Sequence, residues 1–135
     1  MNIEFGKNSW EYIYTEQFSG SKVFVRSSPK WLTYQGEFVY YWRLEDYLTA
    51  QYQYILKGHH DDYDFHFMSE ISAWKYSFAS KSLTCLSQEK FQDSMGQGKS
   101  LSYANEAYIL SSFLVIEHVQ VIQYLEKRHQ SSAQP

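Results

Sequence analysis

The sequence predicts an α+β fold, in which a small amino-terminal antiparallel sheet packs against three or four helices and the longest helix lies at the carboxy end. Runs typical of strands are confined to the beginning of the chain, apolar residues recur at spacings of three and four from residue 43 onward, and no repeat or linker divides the 135 residues. This length is typical of one domain. We therefore expect a single globular domain over 1–129 and a frayed polar tail, QSSAQP, over 130–135. A mostly α fold is the alternative.

Two short runs predict the strands of the sheet. Residues 22–26 (KVFVR) and 38–42 (FVYYW) are rich in β-branched and aromatic side chains, and Gly20 and Gly36 precede them as turn residues. Residues 10–15 fit either a strand or a helix, since both alternating and helical spacings are present. The strand is the favoured interpretation.

Three predicted helices follow the strands. Leu44, Tyr47, Leu48, Tyr52, Ile55 and Leu56 form a stripe with helical spacing, and Gly58 ends it. A second stripe runs over 67–78. A short third helix is predicted over 87–95, ahead of Gly96.

The strongest predicted helix spans 102–128, with Ser102 or Asn105 as its cap. Its apolar face is unusually wide and consists of two rows: Tyr103, Ala107, Leu110, Leu114, His118, Val121 and Leu125, then Ile109, Phe113 and Ile116. Such a face predicts burial on more than one side. The helix is therefore expected to be the spine of the domain or half of a homodimer interface.

Aromatic content is the unusual feature of the composition. The chain has 13 Tyr, 9 Phe and 4 Trp, and a domain of this size cannot bury all of these rings completely. We expect some of them on the surface, where a contiguous group would form a contact patch.

Charge narrows the class of partner. The net charge is −3, and residues 35–78 hold three basic groups against seven acidic groups. Phosphate would be repelled there, and no cluster of Lys and Arg appears elsewhere, so nucleic-acid binding is disfavoured. The acidic segment would steer a basic protein partner, although plain solubility also explains it.

The densest polar motif is GHHDDYDFH, residues 58–66. Imidazole and carboxylate are ordinary zinc ligands, so His59, His60, Asp62 and His66 form a candidate metal site. The spacing matches no established metal motif such as HExxH. A solvated loop and a pH-sensitive contact are the other two interpretations, and the loop is favoured.

His118 is the second histidine of interest, because it lies on the apolar stripe of the predicted long helix. A buried imidazole bonded to a tyrosine or to the backbone is the favoured interpretation. A general base would need a carboxylate such as Glu106 or Glu70 within reach.

Two further motifs are assigned structural roles. MGQGKS, residues 95–100, resembles the end of a phosphate-binding loop, but Asp93 stands where the P-loop pattern requires its first glycine. Cys85 has apolar neighbours and no nearby cation in sequence, which indicates a half-buried structural thiol.

The sequence predicts a cytoplasmic protein that does not enter a membrane. A single cysteine excludes an internal disulfide, the amino end lacks a secretion signal, and the apolar stretch 107–116 is too short to span a bilayer.

Taken together, these features predict a small soluble protein-binding module without a catalytic residue or a cofactor. By analogy of size and charge, it would be an inhibitor of the immunity-protein or antitoxin type that binds a more basic protein. The expected contact residues form the acidic, aromatic surface: Glu45, Asp46, Tyr47, Asp61, Asp62, Tyr63 and Asp64. The alternative is a metal-dependent hydrolase that uses zinc, or a similar divalent ion, bound by the cluster at 59–66.

Overall fold

A computed structural model describes residues 10–28, 30–55, 63–103, 108–110 and 118–133. In this part of the chain, an eight-stranded antiparallel sheet is accompanied by one α-helix. The strands are β1 (Glu11–Thr15), β2 (Lys22–Val25), β3 (Thr33–Gln35), β4 (Phe38–Ile55), β5 (Tyr63–Ser77), β6 (Ser82–Asp93), β7 (Gln97–Tyr103) and β8 (Tyr108–Leu110). A 3₁₀ turn, Ser94–Gly96, links β6 to β7, and the helix is α1 (Val119–Ala133).

The sheet has the order β1-β2-β4-β5-β6-β7. β3 pairs with the beginning of β4, and β8 pairs with the beginning of β6. Neighbouring strands are antiparallel throughout, and β4, β5 and β6 are the long central strands.

One face of the sheet packs against α1. Alternate side chains of the strands point to this face, and Val121, Ile122 and Leu125 of the helix lie against them. The buried sheet residues of this core are Val23, Val25, Val39, Tyr41, Trp74, Tyr76, Leu83 and Cys85. Leu125 is completely buried, so the helix is an integral part of the core.

The carboxy half of α1 is also fixed by polar and ring contacts. The Tyr34 hydroxyl donates a hydrogen bond to the Leu125 carbonyl oxygen (2.8 Å), and Arg128 donates one to the Ser27 carbonyl oxygen (2.8 Å). The His129 ring stacks on Tyr34 and on Phe78, with centroid distances of 4.8 and 4.9 Å.

The opposite face of the sheet carries a second, smaller core. Leu44 and Ile71 lie opposite each other on β4 and β5, and they pack with Trp10 and Phe91. The central strands are thus buried on both faces.

The expected α+β fold with three or four helices is wrong, and so is its mostly α alternative. The predicted helices over 44–56 and 67–78 lie largely in strands β4 and β5. The third, over 87–95, is the second half of β6 and the start of the 3₁₀ turn.

A bulge explains the helical spacing in β4. Asp46 pairs with Ser69 and Gln51 with Phe67, so β4 advances five residues while β5 advances two. The three extra residues shift the alternation of inward and outward side chains. Apolar residues on either side of the bulge therefore recur at three and four, as in a helix.

Burial on both faces explains the error in β5. Ile71 belongs to one core and Trp74 to the other, so apolar residues occur at both odd and even positions. Such a strand cannot be distinguished from a buried helix by periodicity.

The predicted helix over 102–128 is also wrong as a single element. Residues up to Tyr103 belong to β7, 108–110 form β8, and α1 begins only at Val119. The homodimer expected through the 102–128 segment stays a prediction.

The local strand predictions agree better with the structure. β2 covers most of 22–26, β4 includes 38–42, and β1 covers all but the first residue of 10–15, where a strand was favoured. Within the described residues, no helix has the length and apolar character needed to cross a membrane.

Candidate protein-binding surface

The β1–β2 turn is a short connection held by its own hydrogen bonds. The Gly20 N–H donates to the Glu16 carbonyl oxygen (2.9 Å), and the Glu16 N–H donates to the Ser21 carbonyl oxygen (2.7 Å). Gly20 has a φ of +75°, which a residue with a side chain rarely adopts. These hydrogen bonds and Gly20 therefore fix the backbone conformation of the turn.

This rigid turn presents an apolar side chain to solvent. Phe18 is 93% exposed, the largest exposure among the exposed large apolar residues of the described chain. Leu48, which lies in the β4 bulge, is 71% exposed, and its side chain lies beside Gly20 of the same turn. Two large apolar side chains thus lie beside one turn with little cover.

A groove runs between this turn and the beginning of α1. Its volume is about 610 Å³. We call it the turn groove, and its walls are formed by Tyr14, Thr15, Glu16, Gln17, Phe18, Val119 and Gln120. Together, Phe18, Leu48 and the turn groove are called the turn surface below.

A smaller recess of about 220 Å³, which also belongs to the turn surface, adjoins Phe18 and is lined by a buried ion pair. Arg43 Nη1 lies 3.1 Å from Glu45 Oε1, and the Ser21 hydroxyl donates to Glu45 Oε2 (2.8 Å). Glu16 also lines the recess. The two carboxylates outweigh the single guanidinium, so the recess is acidic by one charge.

Burial perturbs the ionisable groups around the recess. Burial raises the pKa of Tyr14, and the adjacent Arg43 offsets part of the rise. Arg43 itself keeps a raised pKa because Glu45 and two tyrosines outweigh the effect of its burial. The Arg43 guanidinium therefore remains charged at neutral pH.

Three of the predicted contact residues take part in internal hydrogen bonds. Glu45 is bonded as above, and the carboxylate of Asp46 accepts bonds from the Ser94 hydroxyl (2.7 Å) and the Met95 N–H (2.9 Å). The Tyr47 hydroxyl donates to Glu70 (3.0 Å), whose other carboxylate oxygen lies 3.5 Å from Lys90 Nζ. Burial is the main cause of the raised pKa of Tyr47, and the charge of Glu70 adds to it.

The other predicted contact residues and the metal cluster are mostly beyond the described chain. Asp61, Asp62, His59 and His60 lie outside the described residues, and Tyr63 and Asp64 are described only as the first residues of β5. His66 lies in β5, exposed, with its ring 6.3 Å from that of Tyr52. In the described ranges, no three potential ligands are grouped around a metal position. The metal site stays a prediction.

His118 is buried at the residue before α1. Its ring lies edge-on to Trp74 at 4.6 Å, and its Nδ1 makes no hydrogen bond within the described part of the chain. Burial lowers the pKa of His118 to about 3, and Arg43 contributes to the fall. Of the two carboxylates considered as its partner, Glu70 is bonded to Tyr47 and paired with Lys90, and Glu106 lies outside the described residues.

The two structural assignments from sequence can also be located. Cys85 is buried in β6 on the face covered by α1. Gly98, Lys99 and Ser100 lie within strand β7, which is not the start of a helix and so lacks the geometry of a phosphate-binding loop.

Sequence reasoning missed Phe18, Leu48 as a surface residue, and Arg43. One signal was available for Phe18: it is the only apolar residue in the five-residue stretch EQFSG that ends at Gly20. The approach of Arg43 and Glu45 to Ser21 depends on the pairing of β2 with β4, which no local pattern reveals.

No family model matches the chain, and no curated protein matches it in sequence. Among solved structures, the chain resembles protein E of Haemophilus influenzae, with a TM-score of 0.57 at 10% identity over 89% of this chain and 85% of that chain. A structure of protein E from non-typeable Haemophilus influenzae gives a TM-score of 0.48 at 13% identity, and it covers 74% of this chain and 64% of that chain. At these identities, the likeness concerns the fold alone.

Proposed function

We propose that this chain is a protein-binding module that binds a more basic protein through the turn surface. The observation that carries the proposal is the 93% exposure of Phe18 on a turn fixed by hydrogen bonds. A large apolar side chain held away from the core stabilises nothing in the monomer. It is well suited to fill a pocket on a partner.

The energetics favour such an anchor. Burial of one Phe or Leu side chain contributes about 1.5–3 kcal/mol. Because the Glu16–Ser21 turn is already ordered by its hydrogen bonds, little conformational entropy is lost on binding. Phe18 and Leu48 would therefore act as the central contacts of a small interface.

Electrostatics support a basic partner. Glu16 and Glu45 line the recess beside Phe18, and Arg43 is the one basic residue among its described walls. A cation on the partner would be attracted to this recess, and the attraction would weaken as salt screens it. An inhibitor of the immunity-protein type would use such a surface to cover a basic site on its target.

Affinity capture from the native lysate tests the proposal. The wild-type chain and a Phe18→Ser, Leu48→Ser variant serve as baits, with Tyr52→Ser as the matched control because Tyr52 is also an exposed ring, at 72%. We expect a basic protein that wild type and Tyr52→Ser retain at low salt, that elutes as salt is raised, and that the double variant does not retain. Equal retention by all three baits would contradict the proposal.

A further inference from the structure

A second apolar depression lies on the sheet face that points away from α1. Tyr40 and Trp42 of β4 face this side, since Val39 and Tyr41 between them face the helix. The depression has a volume of about 230 Å³, and its walls include Lys30, Trp31, Thr33, Tyr40, Trp42 and Leu86. We call it the aromatic groove.

The aromatic groove is preformed. The guanidinium of the buried Arg26 lies 4.2 Å from the centre of the Trp31 ring and 4.9 Å from that of Trp10. The Trp31 ring also meets Trp42 edge to face, at a centroid distance of 6.0 Å. Contacts of both kinds fix ring orientation. The wall formed by Trp31 is therefore rigid before anything binds.

The charge of the aromatic groove is opposite to that of the turn surface. Lys30 is the charged residue among its walls, and Lys75 lies directly across from Tyr40 in the pairing of β4 with β5. Glu37, the acidic side chain of the β3–β4 turn, accepts a hydrogen bond from the Ser77 hydroxyl (2.6 Å). One molecule thus presents an acidic surface with an uncovered phenylalanine and a basic groove with aromatic walls.

We propose that the aromatic groove receives Phe18 from a second copy of this chain. This inference rests on the proposed function, because it uses the turn surface. It adds a second partner whose groove is basic although the whole chain is acidic. An apolar cavity of about 150 Å³ is enough to hold benzene, so the groove has room for the Phe18 ring. Lys30 and Lys75 of one copy would then face Glu16 and Glu45 of the other.

The contact is between two different surfaces, so it is heterologous. Each copy has one Phe18 and one aromatic groove. When two copies join through one contact, one of them still has a free Phe18 and the other still has a free groove. Repetition therefore builds an open chain or a ring instead of stopping at a dimer. A variant that lacks Phe18 or the groove can make only one such contact, so it can occupy only one end of a chain of copies.

Sedimentation of purified variants tests this arrangement. We expect the wild-type chain, and the Tyr52→Ser control, to gain mass with concentration at low salt and to lose it at high salt. Phe18→Ser and Trp31→Ala should each stay monomeric. An equimolar mixture of the two should give dimers and nothing larger, because Phe18 of the Trp31 variant can enter the intact groove of the Phe18 variant.

Thr33→Arg provides a second groove variant if Trp31→Ala does not fold, since Thr33 is exposed and a long side chain there would obstruct the groove. The inference is overturned if wild type stays monomeric at every soluble concentration, or if Phe18→Ser self-associates as wild type does. A monomeric chain that still retains a foreign protein through Phe18 would overturn this inference and leave the proposed function standing. Self-association that does not need Phe18 would count against this inference and against the proposed function.

Discussion

The face of the sheet that packs on α1 has two halves of opposite character. Under the helix, the paired residues of β4, β5 and β6 are apolar or aromatic: Val39, Tyr76 and Leu83, then Tyr41, Trp74 and Cys85. Further along the same strands they are polar: Arg43, Ser72 and Gln88, then Glu45, Glu70 and Lys90. The change occurs within two residues of β4 and β5 and within three residues of β6, where a bulge adds one residue.

The comparison shows that the side chains a strand face can carry depend on whether another element packs over that face. The apolar half is stabilised by area removed from water under Val121 and Leu125. The polar half depends on pairing, because Arg43, Glu45, Glu70 and Lys90 have side chains only 10–19% exposed. The recess of the turn surface opens at this polar half.

Truncation in the apolar half should have the largest effect. Leu125 is completely buried between α1 and the sheet, so Leu125→Ala should lower the free energy of unfolding by about 2–5 kcal/mol through lost burial and a residual cavity. Urea denaturation monitored by tryptophan fluorescence measures the change. A loss below about 1 kcal/mol would show that the helix contributes little to the core.

Removal of a charge in the polar half should have an intermediate effect. Arg43→Met leaves Glu45 with the Ser21 hydroxyl as its remaining hydrogen-bond donor, and we expect a loss of about 1–3 kcal/mol in urea denaturation. Lys81→Met is the control, because the pair of Lys81 with Glu126 is 65% and 33% exposed and should contribute less than about 1 kcal/mol. Equal losses for both variants would refute the distinction.

Acid should destabilise the junction between the two halves through His118. The pKa of His118 falls from 6.5 to about 3 on folding, so between these values the unfolded chain binds a proton that the folded chain excludes. Stability should therefore decrease as pH falls below 6.5, by up to about 1.4 kcal/mol per pH unit from this group. His118→Gln should have a flatter profile between pH 6.5 and 4, and an unchanged difference from wild type across that range would rule out the buried neutral imidazole.

Substitution outside both halves should have the smallest effect on stability. Phe18 is 93% exposed, so Phe18→Ser should change the free energy of unfolding by no more than about 0.5 kcal/mol. Thermal denaturation of the variant beside wild type provides the measurement. A clear loss of stability would mean that Phe18 packs against the domain in solution.

The two strand segments that the sequence predicted without an alternative have uninterrupted registers. Residues 22–26 and 38–42 alternate without a bulge, so their pattern matches the strands that form. Beyond Asp46 the bulge shifts the alternation, and in β5 both faces are buried, so the local pattern takes on helical spacing. Neither the bulge nor the second core is a property of a short sequence window.

The candidate site was predictable only in part. Glu45 was selected from the sequence and lines the recess, but the internal bonds of Asp46 and Tyr47 depend on Met95 and Glu70, which are distant in sequence. The polar stretch around Phe18 was a signal for its exposure but did not decide it, since an apolar residue near a turn is equally compatible with burial. The pairing of β1, β2 and β4 decides that outcome.

The central claim is that Phe18 is exposed for binding, and partner retention measured beside stability tests it most directly. Quantitative mass spectrometry of proteins captured by wild type and by Phe18→Ser, with both baits shown to have the same midpoint of denaturation, gives the comparison. The account predicts an unchanged midpoint and at least a tenfold loss of one basic protein, which corresponds to about 1.4 kcal/mol of binding free energy. Equal amounts of every captured protein on two equally stable baits would contradict it.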